Sequence, residues 1–140
     1  MTGPLDAPRS VAGVGIDAVD VDRFRRVLAR RPQVAARVFT DAERADAAAS
    51  GDPAPRLAAR FAAKEATMKA LGRGLGAFAL RDVEVVRSAG TDSTRGAPSL
   101  RLSGGARQVA AACAVTRWHV SMTHTAQVAM AFVVAESQVG

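Results

Sequence analysis

The sequence has very little lysine, tyrosine or cysteine. Only two of its 19 basic residues are lysines, and tyrosine is absent. Aromatic residues make up 4% of the chain, so its core must rest on Ala, Val and Leu, and oligomerisation would help it to bury more apolar surface. The one cysteine, Cys113, cannot form a disulfide within the chain. We expect it to be a buried, inert thiol, which fits a reducing, cytoplasmic setting.

Long apolar runs are also missing. Residues 1–10 lack the apolar run of a signal peptide, and no stretch has the length of a transmembrane helix, so we expect no membrane-spanning segment. These ten residues are interpreted as a flexible extension ahead of a single domain over residues 11–140. The net charge of +6 favours an acidic partner, which charge alone does not identify. The candidates are a nucleic acid, an anionic membrane surface, a phosphate-rich cofactor or an acidic protein.

Periodicity and turn residues predict an α+β fold. Strands are expected over 11–19, 82–87, 99–102, 118–123 and 128–135, with the last two forming an antiparallel hairpin. Helices are expected over 20–31, 40–50, 56–71 and 105–114, with a turn at 52–55. The expected caps are Asp20, Ser103 and a capping box that joins Thr40 to Glu43. This order of elements indicates an antiparallel sheet with a long central helix in one small domain.

The two lysines stand five residues apart, on either side of an acidic residue. Lys64 and Lys69 flank Glu65 in the predicted central helix. A lysine is a compact point charge, whereas arginine is a wide planar fork, so a compact cation beside a carboxylate suits a crowded phosphate or metal site. The alternatives are chance in an arginine-rich composition and a solvent-exposed pair between Glu65 and Lys69, which are four positions apart.

A second carboxylate supports the functional interpretation. Asp17 ends an apolar strand, where a carboxylate is costly to bury unless it is paired or bound to a metal. It could instead cap the following turn, although Asp20 and Asp22 compete for that role. Two carboxylates from separate elements can hold Mg²⁺, which takes one or two protein oxygens and fills its other positions with water and phosphate. The chain has no Cys/His cluster with zinc spacing.

Two further segments carry candidate ligand contacts. The glycine-rich residues 72–76 could bring backbone N–H groups close to an anion, although a helix stop is the simpler interpretation and the P-loop signature is absent. Alternation along the predicted strand places His119, Ser121 and Thr123 on one face. His124 then falls at the end of the hairpin, where it is better placed to contact a ligand.

Three blocks of this sequence together resemble the holo-[acyl-carrier-protein] synthase family, the small class of 4′-phosphopantetheinyl transferases. The first is Gly-Ile-Asp at 15–17 with Arg23 six residues on, and the second is Arg-Phe-Ala-Ala-Lys-Glu-Ala at 60–66, continued by Lys-Ala-Leu-Gly at 69–72. The third is Trp-His-Val-Ser-Met-Thr-His at 118–124. The resemblance covers about residues 11–136, and both lysines fall on motif positions.

This resemblance implies transfer of the phosphopantetheine arm of coenzyme A to a serine of apo acyl carrier protein, with release of adenosine 3′,5′-bisphosphate. It implies Asp17 and Glu65 as Mg²⁺ ligands and Lys69 as a contact to the pyrophosphate. Glu65, directly or through a metal-bound water, would accept the serine proton. The contacts implied near the nucleotide phosphates are Lys64, Ser121 and His124, and those that let backbone approach the cofactor are Gly72 and Gly74.

The resemblance also implies partners. Carrier proteins are acidic along their recognition helix, so Arg23, Arg26 and Arg30 become a candidate docking face. Small members of the family form homotrimers with the site at the subunit interface, which agrees with a short, aromatic-poor chain. Where the family often writes Gly-Lys-Pro, this chain has Gly-Ala-Pro at 96–98, so a lysine contact near the adenine is in doubt.

Two other functions compete with this one. A basic nucleic-acid-binding module would concentrate charge on one face and add aromatic stacking residues, whereas this chain spreads its arginines. An inactive relative that only binds coenzyme A or carrier protein would not need Asp17, Glu65 and Lys69 together. The sequence leaves open whether the acceptor is a free carrier protein or a carrier domain of a larger synthase, in fatty acid or polyketide synthesis. It also leaves open the choice between Mg²⁺ and Mn²⁺.

Overall fold

A computed structural model describes residues 7–74, 76–88 and 96–138 of the chain. The strands are β1 (Arg9–Asp20), β2 (Val83–Arg87), β3 (Pro98–Leu102), β4 (Val115–His124) and β5 (Val128–Gln138). The helices are α1 (Val21–Arg30), α2 (Gln33–Val38), α3 (Asp41–Ala48), α4 (Pro53–Ala70) and α5 (Gly104–Ala112), and a short 3₁₀ turn spans Leu80–Asp82. The predicted α+β class with antiparallel sheets and a long central helix is confirmed.

Two antiparallel sheets are present among the described residues. The larger has the order β1-β5-β4, and the smaller pairs β2 with β3. In the larger sheet Asp17 lies opposite Ala131 and Ile16 opposite Phe132. The hairpin between β4 and β5 continues this register, so Ser121 is on the other side of Phe132. The sheet therefore carries the Asp17 strand at one edge and the His124 strand at the other.

Helix α4 covers one face of the larger sheet, which we call the inner face. Alternate residues of β5 are buried beneath this helix: Ala129, Ala131, Val133 and Ala135. The helix meets them with a face of small residues: Ala62, Ala63, Ala66 and Ala70. Small side chains on both surfaces let the helix and sheet backbones approach closely, because close-packed interiors leave few voids. This packing brings the inner-facing residues of β1 against α4.

The predicted caps are confirmed at two of three positions. Asp20 accepts a hydrogen bond from the Arg23 N–H, and Thr40 and Glu43 form the reciprocal capping box. Ser103 makes no side-chain cap. Instead the Asp82 carboxylate accepts from the N–H of Gly105, so the helix start is satisfied by a residue distant in sequence.

Some element boundaries differ from the prediction. The segment 52–55, expected to be a turn, begins α4, with Asp52 as its cap and Pro53 in the first turn, where proline is tolerated because that N–H has no helical partner. Helix α2 was not predicted. Strand β1 begins at Arg9, so Arg9 and Ser10, assigned to the extension, pair with β5. Much of the predicted connection 88–98 falls at 89–95, outside the described residues. No helix in the described ranges combines the length and apolar character needed to cross a membrane.

Candidate active site

Asp17 and Lys69 meet where β1 runs beside the last turns of α4. The Lys69 Nζ donates to Asp17 Oδ1 at 3.2 Å and to the backbone carbonyl oxygen of Ile16 at 2.9 Å. The Lys69 side chain is 54% exposed and that of Asp17 is 19% exposed. A half-exposed ammonium thus rests against a mostly shielded carboxylate. The structure brings together two of the three predicted catalytic residues.

Glu65, the third, lies one helical turn before Lys69 and is half-buried. Burial raises the pKa of the Glu65 carboxyl, and the charge of Asp17 raises this pKa further, while the ammonium of Lys69 opposes both. Glu65 and Asp17 are therefore near enough to repel each other. A cation between two such carboxylates would relieve that repulsion.

The donor set fits a hard, oxygen-seeking cation. The two acidic side chains, from β1 and α4, offer only carboxylate oxygens. Within the described ranges no group of three or more His, Cys, Asp or Glu side chains is placed to hold a metal by itself. Mg²⁺ needs only one or two protein carboxylates when substrate phosphates and water complete its shell. Asp17 and Glu65 therefore fit a metal that is bound together with a phosphate ligand.

A cleft of about 480 Å³ opens beside these carboxylates. Asp17 and Glu65 lie on its wall together with Arg23 from the first turn of α1. Its other lining side chains include several apolar residues: Val19, Phe24, Val27, Val34 and Phe61. This apolar wall was not predicted, because it joins side chains of β1, α1, α2 and α4 that meet only in the folded protein, and α2, which supplies Val34, was itself not predicted. The acidic pair therefore faces a cleft that can hold both charged and apolar groups.

The predicted docking arginines are all exposed on α1. Arg23, Arg26 and Arg30 recur at helical spacing, so they share one side of the helix. Arg25 points elsewhere and forms a two-pronged ion pair with Asp52, with N···O distances of 2.7 and 2.9 Å. The helix thus presents a basic side next to the cleft.

Lys64 occupies a position that does not fit its predicted contact with nucleotide phosphates. Its side chain has no exposed surface, and its ammonium donates to Glu43 and to the backbone oxygens of Leu80 and Val83. All three donor positions of the ammonium are therefore used inside the protein. Sequence reasoning missed Glu43 as the partner, because its capping-box role already explained it locally.

Ser121 and His124 do not join Asp17 and Glu65 within one chain. Ser121 is exposed on the sheet face away from α4, which we call the outer face, as expected from alternation with the partly buried Val120 and Met122. His124 is exposed at the end of β4, on the far edge of the sheet from β1.

Both predicted loop glycines are exposed after α4. Gly72 has a φ of 67°, the left-handed conformation that ends helices, which agrees with the helix-stop interpretation. Gly74 has open space where a side chain would be.

A family model, a protein relative and a solved structure all relate this chain to the same family. A family model described as the 4′-phosphopantetheinyl transferase superfamily matches residues 13–133. The holo-[acyl-carrier-protein] synthase of Clavibacter michiganensis subsp. michiganensis is 50% identical over 126 residues, which cover 90% of this chain and 96% of that protein. The crystal structure of the Neisseria meningitidis holo-[acyl-carrier-protein] synthase matches with a TM-score of 0.78 and 31% identity, covering 90% of this chain and 98% of that one.

A third similar protein was solved with a ligand. The Bacillus anthracis holo-(acyl-carrier-protein) synthase, solved in complex with CoA (3′,5′-ADP), matches with a TM-score of 0.71 and 30% identity over 91% of this chain and 98% of that one. The chain therefore belongs to the 4′-phosphopantetheinyl transferase superfamily. Its enzyme class is that of the holo-[acyl-carrier-protein] synthases, as the three sequence blocks predicted.

Proposed function

We propose that this enzyme transfers the 4′-phosphopantetheine arm of coenzyme A to a serine of apo acyl carrier protein in a Mg²⁺-dependent reaction that releases adenosine 3′,5′-bisphosphate. The observation that carries the proposal is the meeting of Asp17, Glu65 and Lys69 beside one cleft. It combines two carboxylates for a hard cation with one cation for a phosphate. The solved relative from Bacillus anthracis binds CoA, which supports the choice of donor.

Asp17 and Glu65 would hold the metal. A bound Mg²⁺ supplies charge neutralisation at the pyrophosphate. Lys69, with half of its side chain exposed, would turn from Asp17 toward the pyrophosphate and stabilise the charge on the leaving nucleotide. Its flexible stem suits this role, since a lysine ammonium rotates and donates in several directions.

The transfer would break the phosphoanhydride bond of the coenzyme A pyrophosphate and form a phosphodiester between the arm and the carrier serine. The serine oxygen of the carrier forms a bond to the phosphorus of the phosphopantetheine arm, and the bond from that phosphorus to the nucleotide oxygen breaks. The serine proton leaves to Glu65 or to water. Glu65 suits a proton acceptor, directly or through a metal-bound water, because its carboxylate is half-buried on the wall of the cleft where the serine would enter.

The acceptor would dock on α1. The exposed side with Arg23, Arg26 and Arg30 borders the cleft and is complementary to an acidic carrier helix. This carrier is either a free protein or a domain of a larger synthase, in fatty acid or polyketide synthesis, and we place the reaction in the cytoplasm.

We further propose that the enzyme acts as a homotrimer. The outer face exposes Ile16 and Phe132, which are 55% and 45% exposed and lie opposite each other in the register, and Met130 extends the same patch. Exposed apolar groups of this kind mark interaction surfaces. Ser121 lies on the same face, so a neighbouring copy could bring Ser121 and His124 to the nucleotide bound at Asp17 and Glu65. Lys64 is left out of this proposal because its ammonium is enclosed.

The test is direct. The enzyme is incubated with coenzyme A, Mg²⁺ and an apo carrier protein, and the intact mass of the carrier is recorded. We expect a gain of one phosphopantetheine arm that is lost when a chelator is added. A gain that survives chelation would refute the metal requirement. No gain with free carriers and with excised carrier domains would instead favour a protein that binds coenzyme A without transferring it.

A further inference from the structure

Strand β1 lies directly on the backbone of α4 at two glycines. A Cβ built on Gly15 would be 2.7 Å from the carbonyl carbon of Ala66 and closer still to its oxygen, and a Cβ on Gly13 would meet Ala70 in the same way. Real Cβ atoms essentially never approach other atoms within 3.0 Å. Neither glycine has the positive φ that would itself require glycine. Space, and not backbone conformation, therefore requires glycine at both positions.

The contact between Gly15 and Ala66 lies next to the candidate metal ligands on both β1 and α4. Gly15 is two residues before Asp17, so both face α4, and Ala66 follows Glu65 directly. The ammonium of Lys69 also bonds the carbonyl of Ile16 between them, at 2.9 Å. A methyl group at Gly15 would force the strand to withdraw from the helix by roughly 1 Å, because packed atoms tolerate little overlap. Asp17 would move with the strand, away from Glu65 and Lys69.

We propose that Gly15 is a positioning residue, which sets the distance between Asp17 and the pair Glu65 and Lys69 so that the two carboxylates share one metal. The inference rests on the function proposed above. The side-chain length at position 17 is then matched to the strand–helix separation that glycine permits. Misplacement of a group by 1 Å can cost about 100-fold in rate.

Gly13 provides a matched control within the same strand. Its contact with Ala70 is as close as that of Gly15 with Ala66, but it lies four residues before Asp17. Gly13→Ala and Gly15→Ala each add one methyl group beneath β1, so both lower the melting temperature to a similar degree. Gly15→Ala acts two residues before Asp17 and against the residue after Glu65, whereas Gly13→Ala acts four residues before Asp17 and against the residue after Lys69, so only Gly15→Ala adjoins both carboxylates. A purely structural role for both glycines predicts parallel effects on every readout.

The experiment measures Mn²⁺ affinity by electron paramagnetic resonance in the presence of coenzyme A, together with melting temperature and kcat. We expect Gly15→Ala to weaken Mn²⁺ binding about tenfold or more, while Gly13→Ala changes it about threefold at most. Asp17→Glu should restore binding in the Gly15→Ala background, because the longer side chain spans the wider gap. Equal losses of affinity in both glycine variants, or no rescue by Asp17→Glu, would overturn the proposal.

If Gly15→Ala does not fold, the single variant Asp17→Glu still tests the proposal, because it adds no atom between β1 and α4. Asp17→Glu alone leaves both glycine contacts intact, and we expect it to weaken Mn²⁺ binding about tenfold because its carboxylate overreaches. Unchanged affinity in that single variant would show that the spacing is loose and would refute the role of Gly15. Failure of the proposed function is seen separately, as a wild-type enzyme that does not modify any carrier.

Discussion

The ammonium of Lys64 lies 2.7 Å from Glu43 Oε1, and both side chains are fully buried. Glu43 also accepts from the backbone N–H groups of Thr40 and Val85, at 3.0 and 3.1 Å. Burial lowers the pKa of the Lys64 ammonium, and the charge and hydrogen bond of Glu43 oppose that shift. The pair joins α3, α4 and β2 at one point, directly beside Glu65 in the helix.

Replacement of each lysine by methionine should therefore affect a different property: stability for Lys64 and transfer activity for Lys69. Lys64→Met leaves the Glu43 carboxylate buried without its charge partner, and we expect it to lower the free energy of unfolding by about 3–5 kcal/mol. Lys69→Met, in the same helix, removes only a half-exposed side chain and should change stability by roughly 1 kcal/mol or less. Urea unfolding followed by circular dichroism measures both.

The same two variants should also differ in transfer activity. Lys69→Met should remain folded and lose transfer, whereas Lys64→Met, assayed well below its lowered melting temperature, should keep most of its activity. A Lys64→Met variant with normal stability and no transfer would mean that Lys64 contacts the nucleotide, as the sequence alone had suggested.

These lysines illustrate which features the sequence could reveal. Asp20 and the Thr40 capping box were predicted correctly because both partners lie within one turn, where spacing fixes the contact. The burial of Lys64 depends on Glu43, which is 21 residues away, and on carbonyls of the 3₁₀ turn and β2. Motif position marks both lysines equally, and only the packing of α3 and β2 against α4 distinguishes them.

Within the candidate site, local sequence signals were predictable, whereas contacts that depend on long-range pairing were not. Asp17, Glu65 and Lys69 were predicted from local signals, namely a carboxylate in an apolar strand and a helical spacing of four, together with the family motifs. Asp17 lies within β1, which continues to Asp20. The placement of Ser121 and Asp17 on opposite faces of the sheet was not foreseen, because it follows from the register in which β1 and β4 each pair with β5. The start of α4 was missed because prolines in a first turn resemble a loop.

Glu65→Gln should abolish transfer while leaving the fold intact. The amide cannot accept the serine proton and is a poor ligand for Mg²⁺, so we expect a loss of the order of 100-fold or more. The carrier mass assay gives the activity, and circular dichroism gives the fold. Asp22→Asn is the control, since Asp22 is exposed in the first turn of α1 and does not line the cleft. Full activity in Glu65→Gln would remove Glu65 from the site.

The pH dependence of stability offers an independent check on this carboxyl. Its folded-state pKa is raised above the unfolded value, so the folded protein holds the proton more tightly. Above the raised pKa, the charged Glu65 carboxylate makes the metal-free wild type less stable than Glu65→Gln. This difference in stability should shrink as the pH falls through the folded-state pKa of Glu65 and then through its unfolded-state pKa. Melting temperatures of the two proteins without metal measure it. A difference that is constant with pH would contradict the burial of Glu65.

Charge reversal on α1 should weaken the carrier and leave the chemistry unchanged. We expect Arg26→Glu with Arg30→Glu to raise KM for the carrier about tenfold or more at low salt, with kcat nearly unchanged, because like charges then face the acidic helix. Arg107→Glu on α5 makes the same kind of change on exposed surface away from the cleft and should have little effect. A fall in kcat without a rise in KM would indicate that these arginines do not dock the carrier.

The outer face of the sheet should control assembly. Phe132→Asp places a charge in the patch around Ile16 and Met130, so we expect light scattering to give a trimer mass for the wild type and a monomer mass for the variant. Gln108→Asp adds the same charge to the exposed surface of α5 and should remain trimeric. A monomeric wild type would refute the assembly, and a monomeric but fully active Phe132→Asp would show that one chain holds a complete site.

Mixed trimers test whether one site draws on two chains. Glu65→Gln and His124→Ala should each be inactive alone, because every site in either trimer lacks one residue. If His124 serves the site of a neighbouring copy, co-expression of the two variants creates some sites with both residues intact, and part of the wild-type activity should return. If His124 and Glu65 act within the same chain, every site in a mixed trimer remains defective. Recovery in the mixture therefore requires that the nucleotide site spans the interface, which is the arrangement expected from the position of Ser121 on the outer face.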